Sequence, residues 1–213
     1  MIVSNLRFLL VSASLVLALV AAPFAQATER TILVYGDSIS AAYGMAAEQG
    51  WVSLLADRLA ETRDDITVVN ASVSGETTGG GVVRLPKTLE VHQPSLVILE
   101  LGGNDGLRGY PIQKIRENTA MMTEAILASG ADVVLVGMVL PPNYGRRYTA
   151  AFENLYAEVA KEFNVPFLPF LLEGVATSES LLQRDGIHPT VEAQPLLLDD
   201  IWPAVESWLS GDE

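Results

Sequence analysis

At 213 residues, 49 % of them hydrophobic and only 18 % charged, the chain has the size and composition of one globular domain with a large core, and disorder is excluded. Its 26 acidic against 13 basic side chains give a formal net charge of −13, which argues against nucleic-acid binding because that needs clustered Lys and Arg. There is no cysteine, so disulfides, thiolate zinc sites and a cysteine nucleophile are excluded.

Residues 1–27 read as a secretory signal, with Arg7 as the positive region, an apolar run from Phe8 to about Ala22, and Ala25-Gln26-Ala27 as a small-x-small cleavage site. The run carries Ser12 and Ser14 and meets Pro23, so it is short for a membrane span, and no stable span is expected after cleavage. Residues 28–213 are then a single domain, periplasmic or secreted. Thr31–Tyr35 is a β-branched apolar run ending at Gly36 and reads as a buried strand. Trp51–Thr62 has helical spacing through Leu54, Leu55, Arg58 and Leu59. Ile66–Asn70 is a second strand, followed by a Gly/Ser/Thr loop, Ala71–Gly81, and a helical stretch towards Glu90. Gly79-Gly80-Gly81 lacks a following Gly-Lys-Ser/Thr, so it is read as flexibility before a helix and not as a phosphate loop.

Ser95–Leu101 is a third strand, stopped by Gly102 and Gly103. Pro111 opens a helix whose buried face carries Ile112, Ile115, Thr119, Met122 and Ile126. Asp132–Val136 is a fourth strand, Tyr148–Phe163 a helix and Val165–Leu168 a short fifth strand. A final helical segment is expected to be kinked or divided by Pro195 and Pro203. Continuous apolar strands alternating with helices imply an α/β fold, a three-layer αβα sandwich around a parallel sheet. Ligands in such folds bind beyond the carboxyl ends of the strands. Gly36-Asp37-Ser38, Ser74-Gly75-Glu76 and Gly102-Gly103-Asn104-Asp105 all begin there.

Only two histidines exist, His92 and His188. His92 falls at the amino end of the third strand, the wrong side of the sheet for this site, and reads as structural or exposed. His188 follows Asp185 by three residues in DGIHP, a spacing that brings a carboxylate to Nδ1 and leaves Nε2 free. Taken alone, DGIHP reads equally well as a helix-entry turn. Ser38 follows the first strand, where a strand-to-helix turn would expose Oγ and supply unpaired amides; alone, Ser38 or Asp37 reads equally well as a helix cap. Asn104 offers a side-chain donor, beside the main-chain N–H groups of Gly75 and Ser38, for a developing oxyanion. Without its neighbours, Asn104-Asp105 reads as a turn and Gly75 as a loop kink.

Together the four segments GDSIS, SVSGET, GGND and DGIHP resemble the four blocks of the SGNH (GDSL-type) hydrolase superfamily, and the similarity runs from about Thr31 to Trp202. The resemblance implies a flavodoxin-like fold with five parallel strands and no cofactor or metal. It implies Ser38 as nucleophile, Asp185 and His188 as its partners, and Ser38, Gly75 and Asn104 as the oxyanion hole. The implied activity is hydrolysis of acyl esters and thioesters, with lysophospholipids, aryl or alkyl esters and acyl-CoA as substrate types. Leu140–Tyr148, including Pro141, Pro142, Asn143, Tyr144 and Gly145, is expected to form a mobile loop over the acyl groove, the alternative being a rigid polar connection with Arg146 and Arg147 solvated. Tyr110 and Met138 read equally as groove lining or core. A monomer acting on a small-molecule substrate is expected. The rival readings are a carbohydrate deacetylase on the same scaffold, a non-catalytic periplasmic binding domain, and a metal-dependent hydrolase using His188 with Asp185.

Overall fold

The computed structural model describes residues 29–211, so the segment read as a signal lies outside the described residues. Five strands, β1 (Arg30–Gly36), β2 (Ile66–Asn70), β3 (Leu96–Glu100), β4 (Asp132–Val136) and β5 (Phe167–Leu168), form one sheet in the order β2-β1-β3-β4-β5. Every pairing is parallel. The helices are α1 (Trp51–Ala60), α2 (Thr78–His92), α3 (Gly103–Leu107), α4 (Ile112–Ala128), α5 (Arg146–Phe163) and α6 (Gln194–Ser210). None of them is long and apolar enough to cross a membrane.

The strands are apolar on both faces because both faces are covered, and alternate residues serve different cores. Leu33, Tyr35, Val97, Leu99, Val133 and Leu135 pack under α2, α4 and α5. Ile32, Val34, Leu96, Ile98, Val134 and Val136 pack under α1 and α6. The sandwich is therefore three layers deep, as the alternation of elements implied. In this strand order the direction of winding reverses between β1 and β3, which opens a crevice at their carboxyl ends.

Three local expectations are corrected. Residues 79–81 are not a flexible approach to α2 but part of its first turns. Thr77 caps the helix, its Oγ1 accepting from Gly80 N at 3.2 Å. Glycine is needed at 81 for close packing: a Cβ there would lie 2.8 Å from Leu101 Cδ1 and 2.9 Å from Met122 Sδ. The Tyr35 hydroxyl donates to the Gly81 carbonyl at 2.8 Å across the same gap. Prolines do not divide the last helix. Pro195 sits in its first turn, where a missing N–H costs no bond, and α6 runs unbroken through Pro203, flanked by the fully buried Ile201 and Val205. Finally, β1 is followed by turns and not directly by a helix; α1 begins only at Trp51.

Phe152 on α5 is fully buried, meets Tyr156 edge-on at 5.5 Å between ring centroids, and would touch a Cβ added to Gly106. Phe152→Ala is expected to cost about 3–5 kcal/mol, read as a lower urea midpoint with an unchanged m-value.

Candidate active site

The crevice between β1 and β3 is built from both strands at once. Gly36 and Glu100 are cross-strand partners at the last positions of β1 and β3. A Cβ on Gly36 would stand 2.5 Å from Glu100 Oε2 and 2.9 Å from Ser40 Oγ, so glycine is what lets the next turn fold tightly over the strand ends. That turn presents Ser38. The Ala41 N–H returns to the Asp37 carbonyl at 3.0 Å and the Tyr43 N–H to the Ser38 carbonyl at 3.2 Å.

His188 reaches this turn from the loop before α6. Its Nε2 lies 2.8 Å from Ser38 Oγ, and its Nδ1 lies 2.7 Å from Asp185 Oδ2. The other Asp185 oxygen accepts from the N–H groups of Ile187 (2.9 Å) and His188 (3.1 Å), so the loop is wound around its own carboxylate. Gly186 supplies the positive φ of +68° that this winding requires. Gln183 ties the loop to the serine turn: its Nε2 donates to the Tyr43 carbonyl at 2.8 Å and to the Pro189 carbonyl at 3.0 Å. The Tyr43 ring lies against the imidazole, with centroids 4.2 Å apart. A carboxylate on Nδ1 fixes the tautomer in which Nε2 is the base facing the hydroxyl.

Gly75 and Asn104 complete the rim. The loop carrying Gly75 is held by Arg84, which donates from Nε to Glu76 Oε2 (3.1 Å) and from Nη1 to the Ala71 carbonyl (2.7 Å). Gly75 has φ +81°, and nothing stands within 4 Å of a Cβ built on it; backbone shape, not crowding, selects glycine. Among the described residues, neither Ser38 N–H nor Gly75 N–H donates to a protein acceptor. Asn104 lies in the first turn of α3 and its Nδ2 donates to Asp37 Oδ2 at 3.1 Å. The adjacent Asp105 is committed elsewhere: its oxygens accept from Thr78 N (2.8 Å) and Thr78 Oγ1 (2.7 Å), locking α3 to the start of α2.

Two buried acids were not singled out from the sequence. Asp37 is 2 % exposed, and its Oδ1 accepts from Ile39 N at 3.1 Å. Burial pushes its pKa up to about 6, against the lowering effect of the Ile39 N–H, the Asn104 amide and His188. Glu100 is also 2 % exposed; its Oε2 accepts from Ser40 Oγ at 2.7 Å and from Asp37 N at 3.4 Å. Burial, and then the neighbouring Asp37, drive the Glu100 pKa well above the carboxylate range. A glutamate inside the apolar run SLVILEL was the available signal, since an acid in a fully covered strand must have a special partner.

A cavity of about 530 Å³ opens over the serine. Ser38, Gly75, Asn104 and His188 lie in its wall together with Ile39, Leu107, Met138, Leu140, Phe170 and Leu172. Pro141 and Pro142 line it as well, whereas Asn143, Tyr144 and Gly145 do not. The reason is a 3-10 turn over Pro142–Tyr144 that carries those residues away from the mouth, where the Tyr144 hydroxyl donates to the Leu107 carbonyl at 2.9 Å. Met138 is both core and cavity wall; Tyr110 is 42 % exposed and outside the cavity. His92 ends α2, at the amino end of β3 and away from the site. Among the described residues, no cluster of three or more His, Cys, Asp or Glu side chains could hold a metal ion.

A serine, an imidazole and a carboxylate in one hydrogen-bonded line at the carboxyl edge of a parallel sheet define a serine-hydrolase site. Residues 34–195 match the GDSL-like lipase/acylhydrolase family, and the chain belongs to that family. It is 48 % identical over 204 residues to the esterase TesA of Pseudomonas aeruginosa, covering 96 % of this chain and 100 % of that protein. It is 45 % identical over 183 residues to thioesterase 1/protease 1/lysophospholipase L1 of Escherichia coli strain K12, covering 86 % of each. Among solved structures, the psychrotrophic esterase EstA from a Pseudoalteromonas species, inhibited by monoethylphosphonate, shares 40 % identity and a TM-score of 0.81, with 85 % of this chain and 99 % of that one covered.

Burial alone would raise the Asp185 pKa, but the Ile187 and His188 N–H groups and the His188 ring outweigh it and hold the carboxyl down at about 2. A depressed acid favours the folded state above its unfolded value near 3.8, and that contribution fades as pH falls towards 2. The melting-temperature difference between wild type and Asp185→Asn is therefore expected to shrink as pH falls from about 4 to about 2.

Proposed function

We propose that this chain hydrolyses carboxylic esters and thioesters of apolar acyl groups through an acyl-enzyme on Ser38. The observation that carries the reading is the Asp185–His188–Ser38 line, ending in a hydroxyl at the wall of a cavity lined mainly by apolar side chains. His188 Nε2 takes the Ser38 proton as Oγ attacks the acyl carbonyl carbon. The C=O π electrons move onto oxygen, and that oxyanion is met by the N–H groups of Ser38 and Gly75 and by Asn104 Nδ2. Collapse expels the alcohol or thiol, which leaves with the proton from His188. Water then repeats the sequence: His188 takes its proton, the hydroxyl adds to the acyl carbon, and Ser38 departs with its proton restored. Asp185 stays ionised and stabilises the imidazolium in both halves.

The apolar lining favours an acyl chain over an acetylated sugar, whose hydroxyls would need polar partners in the wall. Names of the similar proteins support the same range: an esterase, and a thioesterase that is also a lysophospholipase. The Ala25-Gln26-Ala27 ending supports cleavage of residues 1–27 and work in the periplasm or outside the cell by the mature residues 28–213, which we propose act as a monomer. In that compartment lysophospholipids and other exported esters fit the chemistry better than acyl-CoA, which is made inside the cell.

A fluorophosphonate probe is expected to label wild type on Ser38, and Ser38→Ala to lose both labelling and ester hydrolysis; retained hydrolysis in that variant would remove the scheme. Across p-nitrophenyl esters from acetyl to decanoyl, KM is expected to fall as the chain lengthens into the cavity. Asn104→Ala is expected to lower kcat by about 10²–10³-fold with little change in KM, the signature of a donor used only in the transition state.

A further inference from the structure

Asn104 poses a problem that a backbone donor does not. Its amide has a donating and an accepting end of nearly equal shape, exchanged by a half-turn. If the wrong end faces the cavity, the oxyanion meets another oxygen. The surroundings select the orientation. Asn104 Nδ2 donates to Asp37 Oδ2 at 3.1 Å, and an ionised carboxylate only accepts. A flipped amide would set Oδ1 against that carboxylate, two acceptors facing each other where water is nearly excluded.

Asp37 is engaged through its second oxygen as well. Its other oxygen takes the N–H of Ile39 at 3.1 Å, a main-chain group inside the turn that carries Ser38. Both oxygens accept, an arrangement that suits the ionised form because it brings no O–H donor of its own. Glu100 supports this from below. Its Oε2 receives the Ser40 hydroxyl at 2.7 Å and the Asp37 N–H at 3.4 Å, so it clamps the same turn from β3. Both acids are driven up by burial, Glu100 the more strongly, which leaves Asp37 the more readily ionised of the two. The groups facing Asp37 from other elements are Asp105 on α3, which opposes its ionisation, and His188, which favours it.

We infer that Asp37 is a positioning residue of the reaction: its buried carboxylate selects the orientation in which Asn104 donates to the oxyanion, and Glu100 anchors the turn beneath it. The inference rests on the reading in which Ser38 attacks and Asn104 donates.

Asp37→Asn tests it with almost no change of shape. The new side chain has one acceptor and one donor for two donors that need accepting. Ile39 N–H is fixed in the main chain and keeps the acceptor. The new amide N–H then faces Asn104, which turns its oxygen to meet it and withdraws its donor from the cavity. For p-nitrophenyl butyrate, kcat is expected to fall about 10²–10³-fold with KM within about threefold, matching Asn104→Ala. The double variant is expected to be no more than about threefold below Asn104→Ala alone, because a residue acting through Asn104 has nothing further to lose. Losses that multiply would overturn the inference, as would near-wild-type activity of Asp37→Asn.

Should Asp37→Asn not fold, wild type itself supplies the measurement. In protein blocked on Ser38 by a fluorophosphonate, both Asn104 Nδ2 protons are expected to be protected from exchange in ¹⁵N–¹H spectra, one bonded to Asp37 and one to the phosphonyl oxygen. Free exchange of both would sink the idea. Failure of the underlying reading looks different: Ser38→Ala would remain active, or the probe would label elsewhere.

Discussion

A single hydrogen bond, Ser38 Oγ to His188 Nε2 at 2.8 Å, joins positions 150 residues apart in the chain. Neither partner is unusual by itself, since each sits in a short turn of a common kind. Their meeting requires that the carboxyl end of β1 and the loop before α6 be held together to within tenths of an ångström. Gln183 does much of this. Its side-chain amide bridges the Tyr43 and Pro189 carbonyls, and Gly44 makes room for it, because a Cβ there would lie 2.5 Å from Gln183 Oε1. The rest of the domain serves as the rigid support for that pair of turns.

Acids crowd this site, and each is controlled by a different device. Asp185 is held ionised by two main-chain N–H groups and the imidazole. Asp105 is taken up by Thr78, which also receives Asn118 Nδ2 at 3.0 Å. Burial and the neighbouring Asp37 resist ionisation of Glu100, and Asp37 accepts from two donors. The last arrangement has a thermodynamic consequence. The pKa of Asp37 is raised from 3.8 to about 6, so the folded state holds that proton more tightly than the unfolded chain. Its contribution therefore weakens the fold as pH rises from about 4 to about 6, and a buried carboxylate at neutral pH is retained at the expense of stability.

The sheet makes this tolerable. Its strands alternate between two fully covered cores, so the strand ends are rigid where the charged turns begin. The crevice between β1 and β3 follows from the strand order and would form whatever residues occupied it. Function enters through the residues placed there, including Gly36, whose lack of a side chain admits the Glu100 carboxyl to the underside of the serine turn.

Local periodicity by itself determined much of this protein. Ile66–Asn70 and Asp132–Val136 were legible to the residue, and the buried face of α4 followed from its spacing, because an apolar run or stripe declares its own burial. The residues of the four blocks were legible too, as a pattern of types and order. Tertiary structure alone decided the rest. Unbroken passage of α6 through Pro203 depends on the core that grips both sides of it. The first turns of α2 absorb residues 79–81 because Leu101 and Met122 leave no space for a side chain. Pro141 and Pro142 reach the cavity while Asn143 and Gly145 do not, since a 3-10 turn redirects the chain. The division of charge between Asp37 and Glu100 is likewise set by which donors each meets across space, and no spacing along a chain encodes that.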